Sequence, residues 1–289
     1  MKPAPRLAAI VAVLVAGSVV VLVAQQPPPT FGRRVDAVRV DVLVTDKGTP
    51  VTGLTAADFE VTDNGVTQQV ELLAFDQLPL NVIMAFDISE STAGERLLQL
   101  QIGARAVLGT LAGGDRAALL TFSDRVTLRR ALTSDLATVR AAVNELSASG
   151  GTVLVDGAYS ALMLAGSDSG RDLVIVFSDG LDTDSILTAD RVLDTARRTE
   201  AVIYGVTAGS SGRIGFVKGL VDQTGGQSLE IPSAIDLQKT FAGIVDEFRR
   251  RYVLSFTPRG VSATGWHRLQ VRVKGRRATV VARQGYTAG

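Results

Sequence analysis

The chain has 289 residues, 46% of them hydrophobic, enough for one large domain or two smaller ones with a substantial core. A formal net charge of +1 argues against bulk electrostatic capture of nucleic acid. The absence of cysteine excludes disulfides, zinc–thiolate sites and thiol catalysis, and the single histidine, His267, excludes multi-histidine metal sites.

Lys2 and Arg6 precede an apolar run from Leu7 to Ala24, softened only by Gly17 and Ser18, and the proline-rich stretch QQPPPTFG follows. A basic start, an apolar run and a cleavage point after Ala24 are the parts of a signal peptide. The run is also close to the roughly 20 residues that a spanning helix needs. Residues 1–24 are therefore expected to be a signal peptide or an uncleaved membrane anchor, with a linker at 25–34. Both readings put the rest of the chain outside the cytoplasm, secreted or periplasmic.

Residues 35–79 read as all-β. Val38, Val40, Val42 and Val44 alternate with Arg39, Asp41 and Leu43, the period of a strand. Asp46-Lys47-Gly48 turns the chain. Phe59 to Thr62 and Val66 to Phe75 flank Asp63-Asn64-Gly65, a hairpin signal because Asn-Gly tolerates positive φ.

From residue 80 to 250 the rhythm changes. NVIMAF (81–86), AALLTFS (117–123), LVIVFS (173–178) and AVIYGVT (201–207) are continuous apolar runs, as in strands covered on both faces. Helix-like segments separate them: Leu97, Leu98, Ile102, Ala106 and Val107; Leu136, Val139, Val143 and Leu146 after a Ser134-Asp135 cap; Val192, Leu193 and Ala196; and Ile235 to Phe248. The alternation predicts an α/β fold with a doubly wound, mostly parallel sheet. At 251–287 the β signal returns in YVLSFTP (252–258), His267 to Lys274 and Ala278 to Ala282. These strands and those at 35–79 are too few for two separate stable sheets. They are expected to pair as one small β-sandwich in which the α/β domain is inserted.

In a doubly wound sheet, ligands sit beyond the carboxyl ends of the strands. Asp87, Ser89 and Ser91 follow the first run, Gly150-Gly151-Thr152 follows the second helix, and Asp179-Gly180 follows LVIVFS. Each alone has a plainer reading: a turn with a helix N-cap for the first, a loop for the second. Together they bring two carboxylates and three hydroxyls to one end of the sheet. All are hard oxygen donors, which suit Mg²⁺ in near-octahedral array at about 2.0–2.1 Å and disfavour zinc or copper.

Asp-x-Ser-x-Ser, then Gly-Gly-Thr, then an apolar strand ending Ser-Asp-Gly, resemble the metal-ion-dependent adhesion site of von Willebrand factor A domains. The resemblance covers about 80–250. It implies a Rossmann-like fold in which Ser89 and Ser91 ligate Mg²⁺ or Mn²⁺, and Asp87, Thr152 and Asp179 act directly or through water. It also implies an open coordination position for a carboxylate from a partner. VDVLVTDKGTPVTGLTAADFEVTDNG before the domain, and YVLSFTP, HRLQVRVKG and ARQGY after it, resemble secreted bacterial proteins related to von Willebrand factor A. One position departs from the pattern: Glu90 stands where glycine or another small residue is common. There it would repel an acidic ligand, ligate the metal, or face solvent.

Other groups take plainer readings. Asp182 and Asp184 read as a solvated loop and Asp156 as a charge at a helix N-terminus. His267 reads as a partly exposed strand residue, since no Gly-x-Ser-x-Gly motif accompanies it. Arg268, Arg272, Lys274, Arg276 and Arg277 read as a solvated basic face or protection for a sheet edge. No phosphate-binding glycine loop is present, and aromatics do not interleave with the basic run. The expected function is an adhesion-type protein-binding module, not an enzyme, engaging a protein or peptide carboxylate through the metal and binding no nucleic acid. The alternatives are an envelope-assembly component whose metal only fixes loops and, with no histidine or lysine near the motifs, a metal-dependent hydrolase.

Overall fold

In the computed structural model, which describes residues 37–73, 78–166, 170–179, 182–208, 215–231 and 236–289, the valine alternation forms strand β1 (Val38–Asp46), with all four valines buried. The expectations for residues 1–34 lie outside the described residues. Among those described, no helix is long and apolar enough to cross a membrane.

Four short strands follow: β2 (Thr49–Pro50), β3 (Phe59–Asp63), β4 (Val66–Gln68) and β5 (Glu71–Leu73). Asn64 (φ 47°) and Gly65 (φ 84°) make the two-residue turn between β3 and β4, and Asp63 pairs with Val66 across it. The expected strand from Val66 to Phe75 is instead two strands in different sheets, and Phe75 lies outside the described residues.

The middle of the chain alternates as its apolar runs predict. In order it forms β6 (Leu80–Asp87), α1 (Glu95–Thr110), β7 (Arg116–Phe122), β8 (Val126–Thr133), α2 (Leu136–Asn144), α3 (Leu154–Leu164) and β9 (Arg171–Ser178). Then come α4 (Ala189–Ala196), β10 (Val202–Ala208), α5 (Gly215–Thr224), β11 (Ser228–Ile231) and α6 (Leu237–Arg249). The six strands lie in the order β11-β10-β9-β6-β7-β8, parallel except for β8, which returns antiparallel along β7.

Every residue of β6 is buried, because both faces of the sheet are covered. Val82, Met84 and Phe86 face a core completed by α1, α2 and α6, while Ile83 and Ala85 face one completed by α3, α4 and α5. Five parallel strands therefore end at one edge, and β6 and β9 end there in Asp87 and Ser178-Asp179.

The chain finishes with β12 (Tyr252–Phe256), β13 (Gly265–Val273), β14 (Thr279–Val281) and β15 (Gly285–Ala288). These interleave with the first strands. One antiparallel sheet has the order β14-β1-β12-β5, with β2 also on β1, and the other has β15-β13-β3-β4. Val38, Val40, Val42, Tyr252 and Leu254 of the first share one core with Phe59, Val61, Leu269 and Tyr286 of the second.

The antiparallel strands meet the parallel sheet at the start of β9. The buried Arg171 pairs with Asp41 of β1, donates to the Phe248 carbonyl at 2.9 Å and lies over the Phe248 ring. The fully buried Arg251, just before β12, donates to Tyr204 Oη at 2.8 Å and to the Gly225 carbonyl at 2.6 Å. The eight residues of β9, about 25 Å of strand, separate Arg171 from Asp179. The terminal strands thus hold one end of the parallel sheet and leave the other open.

Candidate metal centre

Three loops meet at the open end. Past Asp87 the chain bonds back to β7, with Ile88 N donating to the Phe122 carbonyl at 2.9 Å. It then tightens into a single 3₁₀ turn at Glu90–Thr92, where the Thr92 hydroxyl and amide both reach the Ser89 carbonyl, at 2.7 and 2.9 Å. The turn fixes Ser89 and Ser91 two residues apart on one side of the chain.

The second loop is laced to the first: Glu90 N donates to the Gly150 carbonyl at 3.0 Å and Ser149 N to the Ile88 carbonyl at 2.9 Å. Gly150 sits at φ 80°, and a Cβ there would lie 2.3 Å from Asp124 Oδ2. Both the dihedral and the space require glycine. The third loop is laced to the second, with Thr183 N donating to the Thr152 carbonyl at 2.9 Å and Thr152 N to Thr183 Oγ1 at 3.0 Å. Asp182 caps α3 from outside by accepting from Val155 N at 3.1 Å. Asp156 accepts from Ile186 N and Leu187 N, both at 2.9 Å. The two aspartates exchange backbone bonds between α3 and the third loop, and Asp182 and Asp184 remain exposed.

The loops bring four of the five expected residues into one hydrogen-bonded cluster. Ser89 Oγ and Ser91 Oγ are 3.1 Å apart, and Ser91 Oγ donates to Asp179 Oδ1 at 2.9 Å. Asp87 Oδ1 accepts from Ser89 N at 2.9 Å and Oδ2 from Ser178 Oγ at 2.7 Å. Thr152 is buried on the second loop; among the described residues its hydroxyl makes no hydrogen bond to the other four side chains. Asp87 is fully buried, and burial pushes its carboxyl above the usual carboxylate range. Hydrogen bonds from Ser89 and Ser178 oppose this shift, and the nearby charge of Asp179 adds to it.

The donor set fits a small hard cation. Adjacent ligands of an octahedral ion with bonds of about 2.1 Å are about 3.0 Å apart. The hydroxyl–hydroxyl and hydroxyl–carboxylate separations, 3.1 and 2.9 Å, match that edge. Among the described residues no three Asp, Glu or His side chains gather as a metal cage. The fit therefore rests on neutral hydroxyls beside two carboxylates. Ser91 is exposed, so the cluster opens to solvent on that side, and Glu90 is exposed beside it.

Ser178, the serine of the Ser-Asp-Gly motif, donates to Asp87. Two further participants escape a reading from motifs alone. Asp124 accepts from Gly151 N. Arg96, in the first turn of α1, forms an ion pair with Asp179 Oδ2 and donates to the Ser91 carbonyl at 3.0 Å. A signal for Arg96 exists in the sequence: a cation is disfavoured at the positive end of a helix, so an arginine there implies an acidic partner close by.

Residues 82–181 match the family model described as von Willebrand factor type A domain. Among curated proteins no match was found. A solved von Willebrand factor type A structure from Catenulispora acidiphila is 14% identical, with a TM-score of 0.53 over 88% of this chain and 73% of that one. Proximal thread matrix protein 1 from the mussel byssus, solved with a zinc-occupied MIDAS motif, is 17% identical, with a TM-score of 0.54 over 64% of this chain. The match takes in 49% of the mussel chain, about half its length. At these identities the likeness is one of fold. Sheet order, the residues at the strand ends and the match over residues 82–181 agree: the α/β part of this chain is similar in fold to von Willebrand factor type A domains.

Proposed function

We propose that this chain is an extracytoplasmic protein-binding module, not an enzyme, which holds one Mg²⁺ or Mn²⁺ and engages a carboxylate of a protein or peptide partner. Ser89 and Ser91 would ligate the ion, with Asp87, Thr152 and Asp179 acting directly or through water. When bound, the ion supplies a Lewis-acidic position for the partner's carboxylate, and mostly neutral ligands leave it electron-poor. Asp87 keeps its orientation through Ser89 N and Ser178, and the 3₁₀ turn keeps the two serine hydroxyls 3.1 Å apart. The basic, apolar start of the chain supports the location outside the cytoplasm. We read 80–250 as the binding domain. The segments 35–79 and 251–287 then form a β-sandwich split by it, holding the domain from the end away from the ligand.

The observation that carries the reading is the contiguous cluster of Asp87, Ser89, Ser91 and Asp179 oxygens at the open end of the sheet. Calorimetric titration of Mg²⁺ and Mn²⁺ into the full chain, beside Asp179→Ala, tests it. Saturable one-site binding by the wild type, lost in a variant that keeps its circular dichroism, is expected. Equal metal affinity in the two proteins would sink the site assignment.

A further inference from the structure

The cluster already contains a cation of its own. Arg96 reaches back from the first turn of α1, and its guanidinium pairs with Asp179 Oδ2 while donating to the Ser91 carbonyl. The Asp179 side chain is wholly buried, whereas that of Arg96 is 37% exposed. Two carboxylates, Asp87 and Asp179, are thus buried close enough for one to feel the other's charge, and the Arg96 guanidinium lies against one of them. Buried charge without a partner is strongly unfavourable. An ion entering among Ser89, Ser91 and Asp179 would place two further positive charges beside the guanidinium. At a few ångströms in a partly desolvated site, that repulsion is strong.

We propose that Arg96 is a resident counter-cation that closes the site when no metal is bound, and that a divalent ion must displace it from Asp179. The inference rests on the metal-binding reading above. The exchange is sterically simple. Arg96 lies at the solvent edge on a long flexible stem, so it can leave without any rearrangement of the core. Asp179 Oδ1 and Oδ2 have separate partners, Ser91 and Arg96. The guanidinium can therefore leave while the serine contact stays.

The test is Mn²⁺ titration of the full chain as wild type, Arg96→Gln and Arg96→Met, with melting temperatures measured in chelator and in saturating Mn²⁺. Binding by both variants roughly tenfold tighter than wild type is expected, a common size for coupling between two sites. Both variants should also melt lower than wild type in chelator and gain more from Mn²⁺. Binding of equal strength in all three proteins, or weaker binding in the variants, overturns the role of Arg96 while leaving the metal site standing. No binding by any of the three overturns the metal reading and this proposal with it. Arg96→Met keeps the apolar stem, so a folding defect confined to Arg96→Gln does not obscure the result.

Discussion

The molecule buries aspartates in two places and partners them differently. Asp63 ends β3 and is fully buried; His267 Nδ1 lies 2.8 and 2.9 Å from its two oxygens, and Tyr286 Oη donates to Oδ2 at 2.7 Å. The His267 and Tyr286 rings stack with centroids 4.6 Å apart. Asp63 and its two partners come from three strands of one sheet and all are buried, so nothing can replace them without opening the core. Asp87 and Asp179 are also buried, but their surroundings include an exposed serine turn and an arginine at the solvent edge. Burial of a carboxylate does not by itself mark a ligand site. What separates the two clusters is whether a partner can leave.

The largest effect belongs to the closed cluster. Asp63→Ala removes the carboxylate that both His267 Nδ1 and the Tyr286 hydroxyl contact, leaving these two buried groups only each other, 3.1 Å apart, and should cost on the order of 3 kcal/mol in urea denaturation. Metal affinity should be unchanged, since the triad lies in the antiparallel sheets. A parallel loss of metal affinity would break the division between the clusters.

The open cluster should behave in the opposite way. On the proposed site, Asp87→Asn removes a negative charge beside the ion and should weaken metal binding by roughly ten- to a hundredfold. In chelator the same variant should be the more stable protein at neutral pH. Burial raises the Asp87 carboxyl, so the folded state binds that proton more tightly than the unfolded state. The associated stability is present below about pH 4 and is lost as pH rises through the raised value. The melting temperature of Asp87→Asn relative to wild type should therefore grow from near zero at pH 4 to a clear excess at pH 7. A flat difference across that range would show that Asp87 carries no burial penalty.

Glycine substitutions sharpen the contrast. Gly150→Ala meets both a positive φ and the Asp124 carboxylate. It should cost about 1–3 kcal/mol and displace the loop that carries Thr152, weakening metal binding as well. Gly65→Ala, at φ 84° in the β3–β4 turn with open space around it, should cost about 1–2 kcal/mol and leave metal binding alone. Denaturation and calorimetry on the pair separate backbone strain from damage to the site.

Much of this was legible because the parallel strands are apolar throughout and their polar residues begin only where the sheet ends. Asp87, Ser89, Ser91 and Asp179 stand out for that reason. Thr152 is recognisable from its glycines, although among the described residues its hydroxyl makes no bond to the other four side chains. Helix α3 left no amphipathic trace: LVDGAYSALML is apolar nearly all round, and its interior Gly157 reads as a breaker. That glycine is there because a Cβ would lie 2.5 Å from the Phe122 ring. Strand β8 carries no apolar run, being an edge strand with exposed Arg129 and Arg130. The expectation of a partly exposed His267 is corrected by its complete burial. Its register was available, since it shares the inward face of β13 with Leu269. Only the partner was missing, because Asp63 lies some two hundred positions earlier. The basic residues Arg268, Arg272, Lys274, Arg276 and Arg277 are exposed, as a solvated face would be.

The smallest effect is alkaline and again divides the clusters. Tyr286 is pushed well above the usual phenol range, first by burial and then by its hydrogen bond to Asp63 and that carboxylate's charge. Tyr204, buried against Glu247 and Arg251, is raised in the same direction, mainly by burial. A raised phenol holds its proton more tightly when folded. The stability linked to it is intact below the unfolded value of about 10 and is lost as pH climbs beyond. The chain should therefore lose stability above about pH 10. Tyr286→Phe should flatten part of that slope, at the cost of one hydrogen bond to Asp63, about 1 kcal/mol, at neutral pH. Neither tyrosine touches the open cluster, so the Mn²⁺ affinity of Tyr286→Phe should equal that of the wild type. If the substitution changed metal affinity while leaving the alkaline slope intact, the antiparallel sheets would be coupled to the ligand end rather than serving only to hold the opposite end of the domain.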